Sequence, residues 1–256
     1  MPIRVRINLW SGPRNVSTAL MYSFGQRPDT RVVDEPLYGH YLRVSGADHP
    51  GAAQVMAAME TDGEAVVREV ILGTPEPEDG PPGEEDRPVV FFKQMAHHLV
   101  ELDHGFLAAT TNVLLVRDPV EMLPSLVNQI PQPTLRDTGL AAQARLLAEL
   151  RELGQEPPVL EAREVLRDPR SVLVELCRRL GLPFYEEMLA WPAGPRPYDG
   201  VWAPHWYHAV HRSTGFEPYR PKREPFPERL LPLLSECRPH YAALAAAAIP
   251  AAAPPF

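Results

Sequence analysis

The feature that most limits what this chain can become is a set of short apolar runs, each closed by a charged or polar residue. "VVFFK" (89–93) and "NVLLVR" (112–117) are β-branched, aliphatic or aromatic almost throughout and end in Lys93 and Arg117. Runs of this kind suit strands buried on both faces, as in parallel sheets whose crossovers are helices. "IRVRINLW" (3–10) opens as an alternating strand and grows more apolar, while "RVVD" (31–34) and "PVLEAR" (158–163) are shorter strand candidates. Between them, helical spacing is read in "STALMYSFGQ" (17–26), 51–60, 63–73, "LAAQARLLAELREL" (140–153) and "RSVLVELCRRLG" (170–181). Gly181 closes the last of these. Strands alternating with helices predict an α/β fold, a single domain with a central parallel β-sheet flanked by helices. A ligand then binds beyond the carboxyl ends of the strands.

At 256 residues the chain can bury a core of that kind. The expected organisation is an α/β region over 1–190, then an aromatic and His-rich lid with a C-terminal helix of the same domain over 191–240. A low-complexity tail is expected over 241–256, and its end, "AAAAIPAAAPPF" (245–256), is expected to fray. "TPEPEDGPPGEEDRP" (74–88) is acidic and rich in Pro and Gly, so it is expected as a surface loop.

Composition narrows the function. A formal net charge of −8 argues against nucleic acid or an anionic membrane as partner. It leaves room for a small anionic ligand held by a local arginine cluster. Two cysteines, Cys177 and Cys237, suggest no disulfide framework and a reducing, cytoplasmic setting. Neither a signal peptide nor a membrane-spanning run is expected. The histidines of "HWYHAVH" (205–211) lack a zinc spacing, so no metal is expected. Only two of the 25 basic residues are lysines, Lys93 and Lys222, which singles both out.

The stretch "INLWSGPRNVSTALMYSF" (7–24) turns from strand to helix through Gly12 and Pro13, with Asn15, Ser17 or Thr18 available as a cap. A helix start offers unpaired N–H groups and a positive dipole end. With Arg14 and the hydroxyls of Ser17 and Thr18 it reads as a phosphate cradle. It lacks the Gly-Lys-Ser/Thr ending of a nucleoside triphosphate loop. A second piece, "LLVRDPVEMLPSLVNQ" (114–129), places Arg117 at a strand end and Ser125 eight residues later, about two helical turns along. Both could reach one anion. The plainer reading pairs Arg117 with Asp118 or Glu121 at the surface.

Together, "SGPRNVST" and "RDPVEMLPS" resemble the two phosphate-binding elements of sulfotransferases, which take their sulfonate from 3′-phosphoadenosine 5′-phosphosulfate (PAPS). "REVLRDPRSVLVELCRRLGLPF" (163–184) is similar to a later segment of the same family. "DEPLYGHYL" (34–42) and "DGVWAPHWYHAVHRSTGF" (199–216) resemble the branch of sulfotransferase-like proteins linked to branched-chain aminotransferases. The resemblance implies a P-loop-like sulfotransferase fold and nucleotide binding by residues 1–190. It implies Arg14, Asn15, Ser17 and Thr18 at the 5′-phosphate, Arg117 and Ser125 at the 3′-phosphate, and Lys93 beside the transferring sulfonate.

Several positions depart from the family pattern. Met95 stands where many members carry a histidine base, so Glu35 in "VVDEPLY" ranks first for that role, then His98, then His97. Ala19 takes the place of an adenine-stacking aromatic. The basic Gly-rich loop over the 3′-phosphate is absent, and Arg212 in "HRSTGF" is its suggested substitute. The expected activity is sulfonate transfer from PAPS to a hydroxyl, or an amine, of a small-molecule acceptor. Rival readings are a nucleotide-dependent kinase and a non-catalytic nucleotide-binding partner protein of the same fold. A homodimer is compatible with the sequence.

Overall fold

Apolar runs became strands wherever both of their faces could be covered. The computed structural model describes residues 5–73, 87–222 and 224–252. Its sheet consists of β1 (Val5–Ser11), β2 (Thr30–Asp34), β3 (Val89–Met95), β4 (Thr111–Val116) and β5 (Val159–Glu161). The spatial order is β2-β3-β1-β4-β5. All four pairings are parallel. The sheet thus matches the α/β expectation. Its register aligns Ser11 with Met95 and Leu115, and Asp34 with Lys93. The carboxyl ends of β1 to β4 therefore open at one edge.

Side chains alternate across the strands and feed two cores. On one face Ile7, Leu9 and Phe91 pack with Leu20 and Phe24 of the helix Ser17–Gly25. Phe24 and Phe91 stack there with ring centroids 4.1 Å apart. On the other face Trp10, Phe92 and Leu114 meet Leu146, Leu147 and Leu150 of the helix Leu140–Glu152. The same face packs Leu233, Leu234 and Leu244 of the helix Leu231–Ala245. Two covered faces explain why β3 is buried at every position.

The turn after β1 is held by contacts between distant segments. A Cβ on Gly12 would lie 2.5 Å from the carbonyl oxygen of Thr138, so only glycine lets this turn approach so closely. None of Asn15, Ser17 and Thr18 caps the helix Ser17–Gly25; Val16 is at the cap position, with no side-chain hydrogen bond. Asn15 instead donates from Nδ2 to Leu115 O at 3.0 Å and accepts from Val16 N at 2.8 Å. The helix Pro119–Leu126 after β4 does follow the sequence rule, with Asp118 accepting from Val120 N and Pro119 in its first turn.

The tail corrects an expectation. Residues up to Ala245 are helical, and beyond them Ala248 bridges Val159 while Ile249 N donates to Val159 O at 2.8 Å. Ile249 is 1% exposed. A single isoleucine among alanines and prolines covers the edge of β5, and burying it outweighs the low-complexity composition around it. Residues 253–256, and 74–86 of the acidic segment, lie outside the described residues. We predict that Ile249→Ala lowers unfolding stability by about 2–4 kcal/mol in urea titrations, whereas a freely frayed tail would show no change.

Candidate active site

The open edge of the sheet leads into a cavity of about 320 Å³ that gathers almost every candidate residue. Arg14, Asn15, Ser17, Thr18, Glu35, Lys93, His97, His98, Arg117 and Ser125 all line it. Arg212 does not, although Val210 and Ser213 on either side of it do. Its side chain is exposed.

One end of the cavity is cationic. Arg14 adopts φ +54°, a left-handed conformation unusual outside glycine, and its Nε donates to Ser125 Oγ at 2.9 Å. Arg117 donates from Nη1 to Arg14 O at 2.8 Å, tying the turn after β1 to the end of β4. The Glu121 carboxylate sits 3.5 Å from Arg117 Nε, as the surface-pair reading anticipated, yet Arg117 still reaches the cavity. Burial, and then the positive charge of Arg117, lower the pKa of Arg14. Lys222 is lowered by burial first, with Arg117 next and Arg14 among the smaller causes. Three cations thus feel one another here despite an acidic chain. The adjoining helix start has neither a side-chain cap nor an acidic residue in its first turn. Such a group of donors is suited to an anion.

The same cavity is lined by members of a buried ionic cluster. Lys93 Nζ contacts Glu35 Oε1, lies 3.1 Å from Asp34 Oδ1 and donates to Tyr207 Oη at 2.7 Å. Asp34, Glu35, Lys93 and Tyr207 are all buried. Glu35 also holds a left-handed conformation, φ +39°. Burial opposes charge on Lys93, but the two carboxylates outweigh it and raise its pKa. Burial, and after it the charge of Asp34, raise Glu35 against the pull of Lys93. If all three ionise, the cluster carries one uncompensated negative charge.

The remaining wall is built from rings. His98 stacks between Tyr38 and Tyr41, at centroid distances of 5.0 and 4.6 Å, and His97 meets Tyr41 edge-on at 5.1 Å. Burial, reinforced by the neighbouring imidazoles and other cations, lowers His97 to about 3 and pushes His98 well down. Both rings are neutral near pH 7, and their Nδ1 atoms have no hydrogen-bond partner among the described residues. Trp202 and Tyr207 are buried and line the cavity, with Trp206 beside them. The aromatic segment after Trp191 is therefore both packing and cavity wall. Among the described residues no group of three or more His, Cys, Asp or Glu could hold a metal ion.

Sequence reasoning missed Asp34, gave Tyr207 only a share in the aromatic lid, and gave no role to Lys222, which is exposed and does not line the cavity but feels its arginines. Asp34 had the signal of standing at a strand's carboxyl end, and Lys222 that of being a rare lysine. Tyr207 had only its place in an aromatic segment.

Comparison with known proteins agrees with this architecture. The sulfotransferase domain family matches residues 5–248. The chain belongs to that family. It is 40% identical over 244 residues to branched-chain-amino-acid aminotransferase-like protein 1 of Arabidopsis thaliana, covering 91% of this chain and 42% of the relative. With protein 2 of the same plant it shares 38% over 236 residues, covering 92% and 40%. The chain thus spans about two fifths of the length of these curated relatives. Among solved structures, the sulfotransferase domain of the Synechococcus PCC 7002 olefin synthase shares the fold at TM-score 0.54 and 17% identity, covering 91% of this chain and 94% of that one. A sulfotransferase from Alicyclobacillus acidocaldarius does so at TM-score 0.54 and 15% identity, covering 95% of each.

The neutral histidines make acid sensitivity a test of the cavity. An unfolded histidine protonates near pH 6.5, whereas His97 and His98 resist protonation in the fold until much lower pH. The unfolded chain then binds more protons, so this stability is complete above about pH 6.5 and is lost as pH falls toward 3. Each histidine adds a slope of up to about 1.4 kcal/mol per pH unit. We predict that the doubly substituted His97→Asn, His98→Asn protein shows a flatter fall in urea midpoint between pH 7 and 4. An unchanged slope would mean that the rings are not held neutral.

Proposed function

We propose that the protein transfers a sulfonate from PAPS to a hydroxyl, or an amine, of a small-molecule acceptor. One observation carries the reading. Arg14, bonded to Ser125 Oγ, and Arg117, bonded to the Arg14 carbonyl, come from different strand ends and line a cavity that also holds the Glu35–Lys93 pair. Membership in the sulfotransferase family supports the same chemistry.

The residues present fit such a donor. Two neighbouring guanidiniums with one ion pair between them among the described residues, Glu121 at 3.5 Å from Arg117, favour a multiply charged anion. On this reading Arg117 and Ser125 hold the 3′-phosphate, with Lys222 as a third cation. Arg14, Ser17, Thr18 and the uncapped helix start hold the 5′ side. Asn15 acts mainly as a tie, since its amide is committed to Leu115 O and Val16 N. PAPS, when bound, supplies the activated sulfonate.

Glu35 takes the acceptor proton. Accepting it turns the buried cluster of Asp34, Glu35 and Lys93 from net −1 to neutral, a change that a low-dielectric site favours. His97 and His98 are poorer bases, because burial already disfavours their protonated forms. They line the wall against which an acceptor is positioned, while Trp202 and Trp206 help keep water out. Lys93 balances negative charge developing at the transfer.

Two measurements test this. In calorimetry the protein binds adenosine 3′,5′-bisphosphate in preference to ATP-Mg²⁺, and Arg117→Ala weakens that binding by on the order of tenfold or more. Preference for ATP-Mg²⁺ would favour a kinase, and unchanged bisphosphate affinity would remove Arg117 from the donor site. Glu35→Gln keeps bisphosphate affinity while PAPS-dependent transfer across an acceptor panel falls by at least about a hundredfold. Full activity in that variant would reassign the base, and a wild-type protein that binds but never transfers would be a nucleotide-binding partner.

A further inference from the structure

The ammonium of Lys93 has no free hydrogen-bond donor. A protonated lysine carries three N–H groups, and three oxygens meet them: Asp34 Oδ1, Glu35 Oε1 and Tyr207 Oη. If Lys93 is to touch a ligand oxygen, one of these must withdraw. The carboxylates are poor candidates, since each forms a charge-assisted bond that is costly to break in a buried site. Tyr207 differs in three ways. Its oxygen is neutral, because burial, and then Asp34 and Glu35, hold its phenol pKa well above the ordinary value. It lies on the segment after Trp191 rather than on the sheet. It also has a second attachment to keep, donating to Asp34, with Oδ2 at 2.7 Å and Oδ1 at 2.9 Å.

We propose that Tyr207 is a positioning residue whose hydroxyl occupies, on Lys93, the place that an oxygen of the donor's 5′ phosphosulfate takes when it binds. The exchange leaves the atoms satisfied. Lys93 trades a neutral acceptor for an anionic one, and Tyr207 Oη keeps its bond to Asp34 and the one it receives from Trp202 Nε1 at 3.0 Å. Until then Lys93 is held at the mouth of the strands by its three partners. Asp34 organises the exchange, for it contacts both Lys93 and Tyr207 and accepts from Gly200 N at 3.1 Å. This inference rests on the PAPS reading above.

Displacing an existing partner lowers apparent affinity, and removing that partner beforehand restores it. Tyr207→Phe keeps the ring and deletes the displaced oxygen. We expect it to bind PAPS on the order of tenfold more tightly than the wild type. Adenosine 3′-phosphate, which lacks the 5′ group, should bind both proteins equally and so reports on the fold. Equal shifts for both ligands, or unchanged or weaker PAPS binding, overturn the proposal. A second readout needs no variant for its main result. With only two lysines in the chain, ¹⁵N-lysine labelling gives two ammonium signals, which Lys222→Arg assigns. Adding PAPS, but not adenosine 3′-phosphate, should move the Lys93 signal; an unmoved signal with PAPS bound overturns the exchange. In ligand-free Tyr207→Phe the Lys93 protons should exchange faster with water, and unchanged exchange overturns the three-partner cage. A wild-type protein that binds neither nucleotide overturns the PAPS reading instead, and that ligand-free spectrum still decides the cage.

Discussion

An ammonium buried to 2% exposure is the constraint around which the open edge of the sheet is arranged. Taking such a charge out of water costs several kcal/mol unless opposite charge and hydrogen bonds replace the lost hydration. Lys93 receives both from two consecutive residues, Asp34 and Glu35. Consecutive side chains in an extended strand point to opposite faces and could not both reach one ammonium. Here β2 ends at Asp34, and Glu35 leaves the extended region for φ +39°. That turn brings the second carboxylate to the same nitrogen, so a local backbone strain is offset by the ion pair it permits.

The turn after β1 uses the same backbone device with a basic residue. Arg14 is also held at positive φ, and its carbonyl and side chain are each engaged by residues that follow β4, Arg117 and Ser125. Of the three non-glycine residues with positive φ among the described residues, two are therefore Arg14 and Glu35, the first turn residues whose charges face the cavity. Each is fixed by a partner far away in sequence. The adjacency of β1 to both β3 and β4 makes this possible, because the central strand's exit then lies between a lysine-bearing neighbour and an arginine-bearing one.

What could be read from the sequence follows from the range of each interaction. Strand runs, helix periods and the turn at Gly12 depend on nearby residues, so "VVFFK", "NVLLVR" and "SGPRNVST" announced the sheet and one set of cavity residues. The spacing of Arg117 and Ser125 was legible because one strand end and one helix carry both. The bond between Lys93 and Tyr207 spans 114 positions, and no local pattern encodes it. Asp34 looked like the end of a strand because its second role needs Lys93 beside it. The cap was misjudged for a related reason: Asn15 had a better partner in Leu115, which only strand pairing brings near. Ile249 was lost in a composition argument that averages over the residue that matters.

Charge is unevenly distributed over the cavity lining. Among the described residues Arg14 and Arg117 share one ion pair, Glu121 at 3.5 Å from Arg117, and the helix start beside them has no acidic residue in its first turn, so positive charge is in excess there. The lysine cluster carries excess negative charge once all its groups ionise. The rings of His97 and His98 carry almost none, because packing has suppressed their titration. An anion is favoured beside Arg14 and Arg117 and disfavoured beside the lysine cluster. The rings of Tyr38, Tyr41, His97 and His98 offer a neutral surface in the same cavity, which Glu35 and Lys93 also line. One cavity thus brings a cationic, an anionic and a neutral surface together, each fixed by contacts between segments distant in sequence.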